Sequence, residues 1–151
     1  MVYQENAKEY LRRGFHIREE IRHKSEKLEE LRTQAERSTG NIDGVPGGRY
    51  DPHYREGVIV KLVDLQQDIE WDYYDLVEHQ KKVKALLDQI KDPDVAAVAY
   101  YRYLCYKTWS EISELTDLCA RQVFRLNETA IEILEGRKEN EVRDRHRGVP
   151  F

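Results

Sequence analysis

The chain has 151 residues, of which 40% are apolar and 36% charged, with 8 glycines, 4 prolines and a net charge of -4. Globular domains carry about 25% charged residues, so this composition favours long solvated helices and argues against a β-sandwich or a doubly wound parallel sheet. The acidic balance gives no global drive toward nucleic acid, and any such binding has to come from a local patch.

The first element in chain order is a helix predicted from about Tyr3 to Arg37. Tyr10, Gly14, Ile17, Ile21, Lys24, Leu28, Leu31 and Ala35 recur at alternating steps of four and three residues. That is the 3.5-residue period of a coiled-coil seam. Gly14 and Lys24 weaken it. The stretch Ser38–Asp51 holds four of the eight glycines and one proline, and reads as a loop. Asp51-Pro52 then gives an N-cap followed by proline at the first helical position. Val58, Leu62, Leu65, Ile69, Asp72, Leu76, His79, Val83, Leu86 and Ile90 form a second seam, interrupted by Asp72 and His79. Two seams of similar length joined by a glycine-rich loop predict an antiparallel hairpin about 50 Å long. Tyr73, Val77 and Leu87 add an apolar edge to the second helix and suggest a homodimer. The run Asp64, Asp68, Glu70, Asp72, Asp75, Glu78 contains no Lys or Arg. It reads as a solvated face, or more sharply as a surface for a basic protein.

Asp92-Pro93 starts another helix, from Asp94 to about Tyr106, dense in small and aromatic residues. Thr108-Trp109-Ser110-Glu111 is a capping box, in which Thr108 and Glu111 satisfy each other's orphan amides. It opens a short helix to about Leu115. Thr116-Asp117-Leu118 forms a break, and a last helix runs from about Cys119 to Gly136. A short capped helix, a tight turn and a longer helix make a helix-turn-helix pattern. Its expected core is Tyr101, Leu104, Trp109, Ile112, Val123 and Leu126. Trp109 is cast there as a buried anchor, whose truncation costs about 3–5 kcal/mol. The polar segment 137–151 is expected to fray. The predicted division is therefore 1–91 for the hairpin, 92–136 for the compact unit and 137–151 for the tail.

Arg121, Gln122 and Arg125 project from the early part of the last helix, with no acidic residue between Leu118 and Asn127. Arginine can bind guanine edges or clamp phosphates, and glutamine matches adenine. Lys107 and Thr108, at the amino end of the short helix, are placed for phosphate contact.

The segments Tyr101-Arg102-Tyr103-Leu104, Lys107 to Ser113 and Arg121 to Leu126 resemble region 4 of the primary bacterial sigma factors. A closer resemblance is to small phage and prophage proteins of Gram-positive bacteria, with two long amino-terminal helices and a sigma-like carboxyl terminus. Some relatives are regarded as activators of phage late genes. The resemblance spans about Tyr10 to Leu134, and its specific part is Tyr101 to Leu134. It implies an all-α fold, double-stranded DNA as ligand and RNA polymerase as a partner. The chain departs from the pattern at Asp117, where glycine is usual, at Cys119, where serine caps the recognition helix, and at Thr116, where leucine is common.

Other chemistries find no support in the sequence. The loop Gly44–Arg49 lacks the Gly-Lys-Ser/Thr ending of a P-loop. Glu20-x-x-His23 has a di-iron spacing without a second copy, since Leu76 stands three residues before His79, so no metal is expected. Cys105 and Cys119 fit neither a zinc site nor a disulfide scaffold. No nucleophile elbow, cofactor motif or small-molecule substrate site is found, and an enzyme is not expected. Residues Met1 to Asn6 show no signal-peptide pattern and no apolar run spans a bilayer, so the expected location is the cytoplasm of a bacterial host. Two readings compete with a phage-type DNA-binding regulator. One is a non-catalytic interaction or assembly module. The other is a small terminase subunit, in which the DNA-binding unit typically comes first in the chain.

Overall fold

The computed structural model describes residues 6–40, 52–137 and 139–141. These are all-helical: α1 Ala7–Gly40, α2 Pro52–Leu87, α3 Pro93–Tyr103, α4 Trp109–Thr116 and α5 Ala120–Leu134. No strand occurs among the described residues. The helix expected from Tyr3 starts at Ala7, where Asn6 Oδ1 accepts the Glu9 amide at 2.8 Å and caps the first turn. It runs three residues past Arg37, so Ser38 to Gly40 are helical rather than loop. The rest of the expected loop and the Asp51 cap lie outside the described residues.

The chain divides into two units. One is the stretch from His16 to Val77; the other combines the part up to Phe15 with the part from Glu78 onward. In the first unit, Ile21, Leu31, Val58, Ile69 and Leu76 are buried, and Ile17, Leu28, Leu62 and Leu65 are half-buried. These are the positions the heptad spacing selected. Lys24 of α1 meets Asp72 of α2 at 2.7 Å. Lys24, which weakens the first seam, and Asp72, which interrupts the second, thus satisfy each other. Leu31 shares a surface groove with Leu65. Residue numbers rise along α1 as they fall along α2, so these segments run antiparallel.

The second unit has one continuous core. Leu11, Val83, Leu87 and Ile90 bury together with Val95, Val98, Ala99, Tyr103, Ile112, Val123, Leu126, Ala130 and Ile131. The division expected at residue 91/92 therefore cuts through this core. Its physical reason is that α3 is apolar nearly all round and needs more cover than α4 and α5 supply. Leu87, assigned above to an exposed edge, is 5% exposed and belongs here. His79 is also buried, its ring 4.9 Å from that of Tyr10.

Asp92 caps α3, its Oδ1 accepting the amides of Asp94 and Val95 at 2.9 and 3.4 Å. The helix stops at Tyr103 rather than Tyr106. Tyr106 adopts a left-handed φ of 55°, and the Lys107 amide folds back onto the Tyr101 carbonyl at 2.9 Å. α5 ends in a Schellman motif. Gly136 has φ 74°, its amide bonds the Ile133 carbonyl at 3.0 Å, and the Arg137 amide bonds the Glu132 carbonyl at 2.8 Å. Of the tail expected to fray, residues 138 and 142–151 lie outside the described residues, and Asn140 is held in place. Asn140 accepts the Lys91 amide at 2.9 Å and donates to the Gln89 carbonyl.

Candidate nucleic-acid interface

Local chemistry shapes the α4–turn–α5 segment. Thr108 Oγ1 accepts the Glu111 amide at 3.2 Å, and Glu111 Oε1 accepts the Thr108 amide at 3.3 Å. These reciprocal bonds hold the Glu111 carboxyl below its ordinary pKa, with the backbone bond at Thr108 the largest cause. Asp117 closes the helix in the left-handed region, at φ 56° and ψ 24°. Asp117 therefore takes the positive-φ position of this turn, which glycine would fill at less steric cost. Thr116 Oγ1 donates to the Ile112 carbonyl at 2.6 Å, and Ser113 Oγ to the Leu118 carbonyl at 2.5 Å. Thr116 thus ties the turn to α4 by a hydrogen bond, where leucine would bury apolar surface.

At the start of α5 the Cys119 amide donates to Gln122 Oε1 at 3.3 Å. Bidentate pairing with adenine needs both the oxygen and the nitrogen of a glutamine amide. In this conformation the Gln122 oxygen is shared with the helix cap, so its expected reading role requires that bond to open. Arg121 and Arg125 are exposed one turn apart, and neither pairs with a carboxylate among the described residues. Two arginines of α1 differ: Arg22 pairs with Glu19 and Glu26, and Arg32 with Glu29.

Lys107 and Thr108 sit at the other helix start, that of α4. Lys107 is half-buried, its Nζ 3.7 Å from Glu111 Oε2, so its charge is partly offset. The five expected site residues therefore fall into two groups. Arg121 and Arg125 form an exposed cationic pair without carboxylate partners among the described residues, with Gln122 turned into the cap between them. Lys107 and Thr108 form the second group, both engaged by Glu111.

Ile112, Val123 and Leu126 occupy the core as expected, at 0, 0 and 7% exposure. Tyr101, Leu104 and Trp109 only pack against it, half-buried. Trp109 is not a buried anchor. One face of its ring lies 4.2 Å from the Arg102 guanidinium carbon, and its centroid is 5.0 Å from that of Phe124 on α5. The same guanidinium lies 4.5 Å from the Phe15 ring centroid and donates to the Lys107 carbonyl at 2.9 Å. Burial pushes the Arg102 pKa down. Arg102 thus links α1, α3 and the start of α4, a role sequence reasoning did not assign. No spacing rule connects Phe15 with Trp109. An arginine inside a Tyr-rich helix just upstream of a tryptophan was the available signal.

The chain matches no family model, no curated protein and no solved structure.

Among the described residues no three His, Cys, Asp or Glu side chains gather in a way that could hold a metal ion. Cys105 and Cys119 are free thiols. No described helix is long and apolar enough to cross a membrane.

Proposed function

We propose that this chain is a DNA-binding transcription regulator of phage type, working in the cytoplasm of a bacterial host. In this reading α4, the Thr116–Leu118 turn and α5 form a sigma region 4-like helix-turn-helix, and α1 and α2 form a coiled-coil hairpin. The second helix of such a motif enters the major groove with its early residues toward the bases. The observation that carries the reading is the pair Arg121 and Arg125, exposed on the first turns of α5 and without carboxylate partners among the described residues. The amino end of α4 supplies phosphate contacts through the Lys107 ammonium, the Thr108 hydroxyl and the helix dipole. The long helices pair with a second copy or contact RNA polymerase. The chain acts without catalysis, cofactor or small-molecule substrate.

A mobility-shift titration against fragments of the parent phage genome, run over a salt series, tests this. Binding that disappears in Arg121→Ala/Arg125→Ala supports the reading. Equal affinity of the folded double variant removes it.

An interaction or assembly module is the second reading. Its support is the row of large apolar side chains exposed on α2, among them Trp71 at 61% and Tyr74 at 59%. No DNA binding at low salt, together with a stable protein complex, would favour it.

A further inference from the structure

The outward face of α2 in the His16–Val77 unit carries large apolar side chains. Val60, Val63, Trp71 and Tyr74 are 58, 54, 61 and 59% exposed. With Gln67 between them they recur at steps of three, four, four and three residues. The average is that of a helix stripe built to meet another helix. At about 100° per residue the stripe lies roughly half a turn away from Val58, Ile69 and Leu76, the residues α2 buries.

The stripe is also symmetric in sequence about Gln67. If two α2 helices pair antiparallel at that residue, Val60 meets Tyr74 of the second copy and Val63 meets Trp71. Each contact sets a small branched side chain against a large aromatic ring, which suits close packing. Gln67 meets its own counterpart, and a carboxamide can both donate and accept across the axis. A polar seam residue of this kind fixes register.

The area is adequate. The four stripe residues with Ile59 and Val77, which are 45 and 46% exposed, offer on the order of 500 Å² at roughly 150–250 Å² for each large side chain. A standard interface buries about 800 Å² per partner, somewhat over half of it apolar.

We propose that two copies of this chain pair α2 against α2, antiparallel, about a two-fold axis at Gln67. This is an isologous contact, and it stands independently of the DNA reading. The same pairing sets Asp64 and Asp68 of one copy along the same edge as Asp68 and Asp64 of the other. Like charges flank the stripe, so added salt tightens the dimer instead of loosening it.

The test uses the full chain with Cys105→Ser/Cys119→Ser as background. Sedimentation should give twice the 18.0 kDa of the chain, with tighter association at about 500 mM than at about 50 mM salt. Trp71→Ala/Tyr74→Ala should weaken association about tenfold or more while the helical circular dichroism stays unchanged. On oxidation Gln67→Cys should link to itself, and Val60→Cys should link only when mixed with Tyr74→Cys. A single 18.0 kDa species at about 100 μM, well above the range of specific dimers, overturns the proposal. So does a dimer indifferent to the double substitution, or Val60→Cys linking to itself. A monomer that binds a lysine-flanked amphipathic peptide at Trp71 also overturns it, and assigns the face to a basic partner.

Discussion

A methyl group at Gly14 would lie 2.7 Å from the hydroxyl oxygen of Tyr106. The glycine that weakens the α1 seam therefore makes room for a tyrosine 92 residues away in sequence. Tyr106 is held from both ends, by its left-handed backbone at φ 55° and by an edge-on contact with Phe15 at 5.1 Å. Gly→Ala inside a helix ordinarily gains about 1 kcal/mol, but here the ring must move. Gly14→Ala should leave wild-type stability unimproved, yet stabilise a Tyr106→Gly background. Chemical denaturation of the four proteins should show a coupling on the order of 1 kcal/mol. Additive effects would place the ring elsewhere.

Tyr103 and Asn127 form a second buried relationship. The phenol, 4% exposed, donates to Asn127 Oδ1 at 2.6 Å between α3 and α5. Burial raises the Tyr103 pKa. Tyr103→Phe strands the amide oxygen and should destabilise the unit by about 1–3 kcal/mol. Removing both polar partners with Tyr103→Phe/Asn127→Leu should recover part of that loss. The folded pKa lies above the unfolded one, so the neutral phenol's contribution is retained through neutral pH. Ionisation in the alkaline range occurs more readily in the unfolded chain. Ultraviolet titration showing an ordinary tyrosine pKa would contradict this burial.

The anchor of α4 is Ile112, not Trp109. Ile112→Ala should cost about 2–5 kcal/mol through lost burial and a cavity. Trp109→Ala should cost less, about 2 kcal/mol, because it removes a half-buried ring and a stack on Arg102. Amide exchange from Ala96 to Ile133 should therefore survive the tryptophan change and collapse with the isoleucine change. The reverse order would restore the tryptophan as the core.

On a selected DNA site, Arg121→Ala or Arg125→Ala should each lose about 1–3 kcal/mol and relax one base position. Lys107→Ala should weaken all sequences alike and lower the salt slope by about one unit. Because Glu111 lies beside Lys107, Glu111→Gln should tighten non-specific binding while a glutamine keeps the capping box. An unchanged salt slope in Glu111→Gln, with α4 intact, would show that this helix start does not face phosphate.

The Lys24–Asp72 pair bridges α1 and α2 with both heads partly wetted, so its contribution is no more than about 1 kcal/mol. The hydrogen bond to Asp72 raises the Lys24 pKa. Its stabilisation is thus present through neutral pH and fades as pH rises past the ordinary lysine range. Replacing both residues by leucine should raise the melting midpoint and remove that alkaline loss. A lower midpoint in the double variant would mean that the pair fixes the register of the two helices.

Helix positions were legible in the sequence because their signals are local. Asp92-Pro93 and the Thr108/Glu111 box depend on atoms within four residues, and both caps form. The heptad spacing selected Ile21, Leu31, Val58, Ile69 and Leu76 because a 3.5-residue period faces one side of a helix whatever it packs on. Arg121 and Arg125 were legible as an exposed pair, since a helix places i and i+4 together. The bond from the Cys119 amide to Gln122 was not legible, because helix periodicity gives a direction and says nothing of a competing hydrogen bond.

Helix content, caps and the inward faces follow from local chemistry in the chain, set by backbone hydrogen bonding and side-chain period. Which of those faces share a core is settled by long-range packing. Leu11 and Phe15 pack with residues beyond Glu78, Arg102 lies between two rings far apart in the chain, and Lys24 finds Asp72. Each depends on long-range packing of shapes and charges, which no local period encodes.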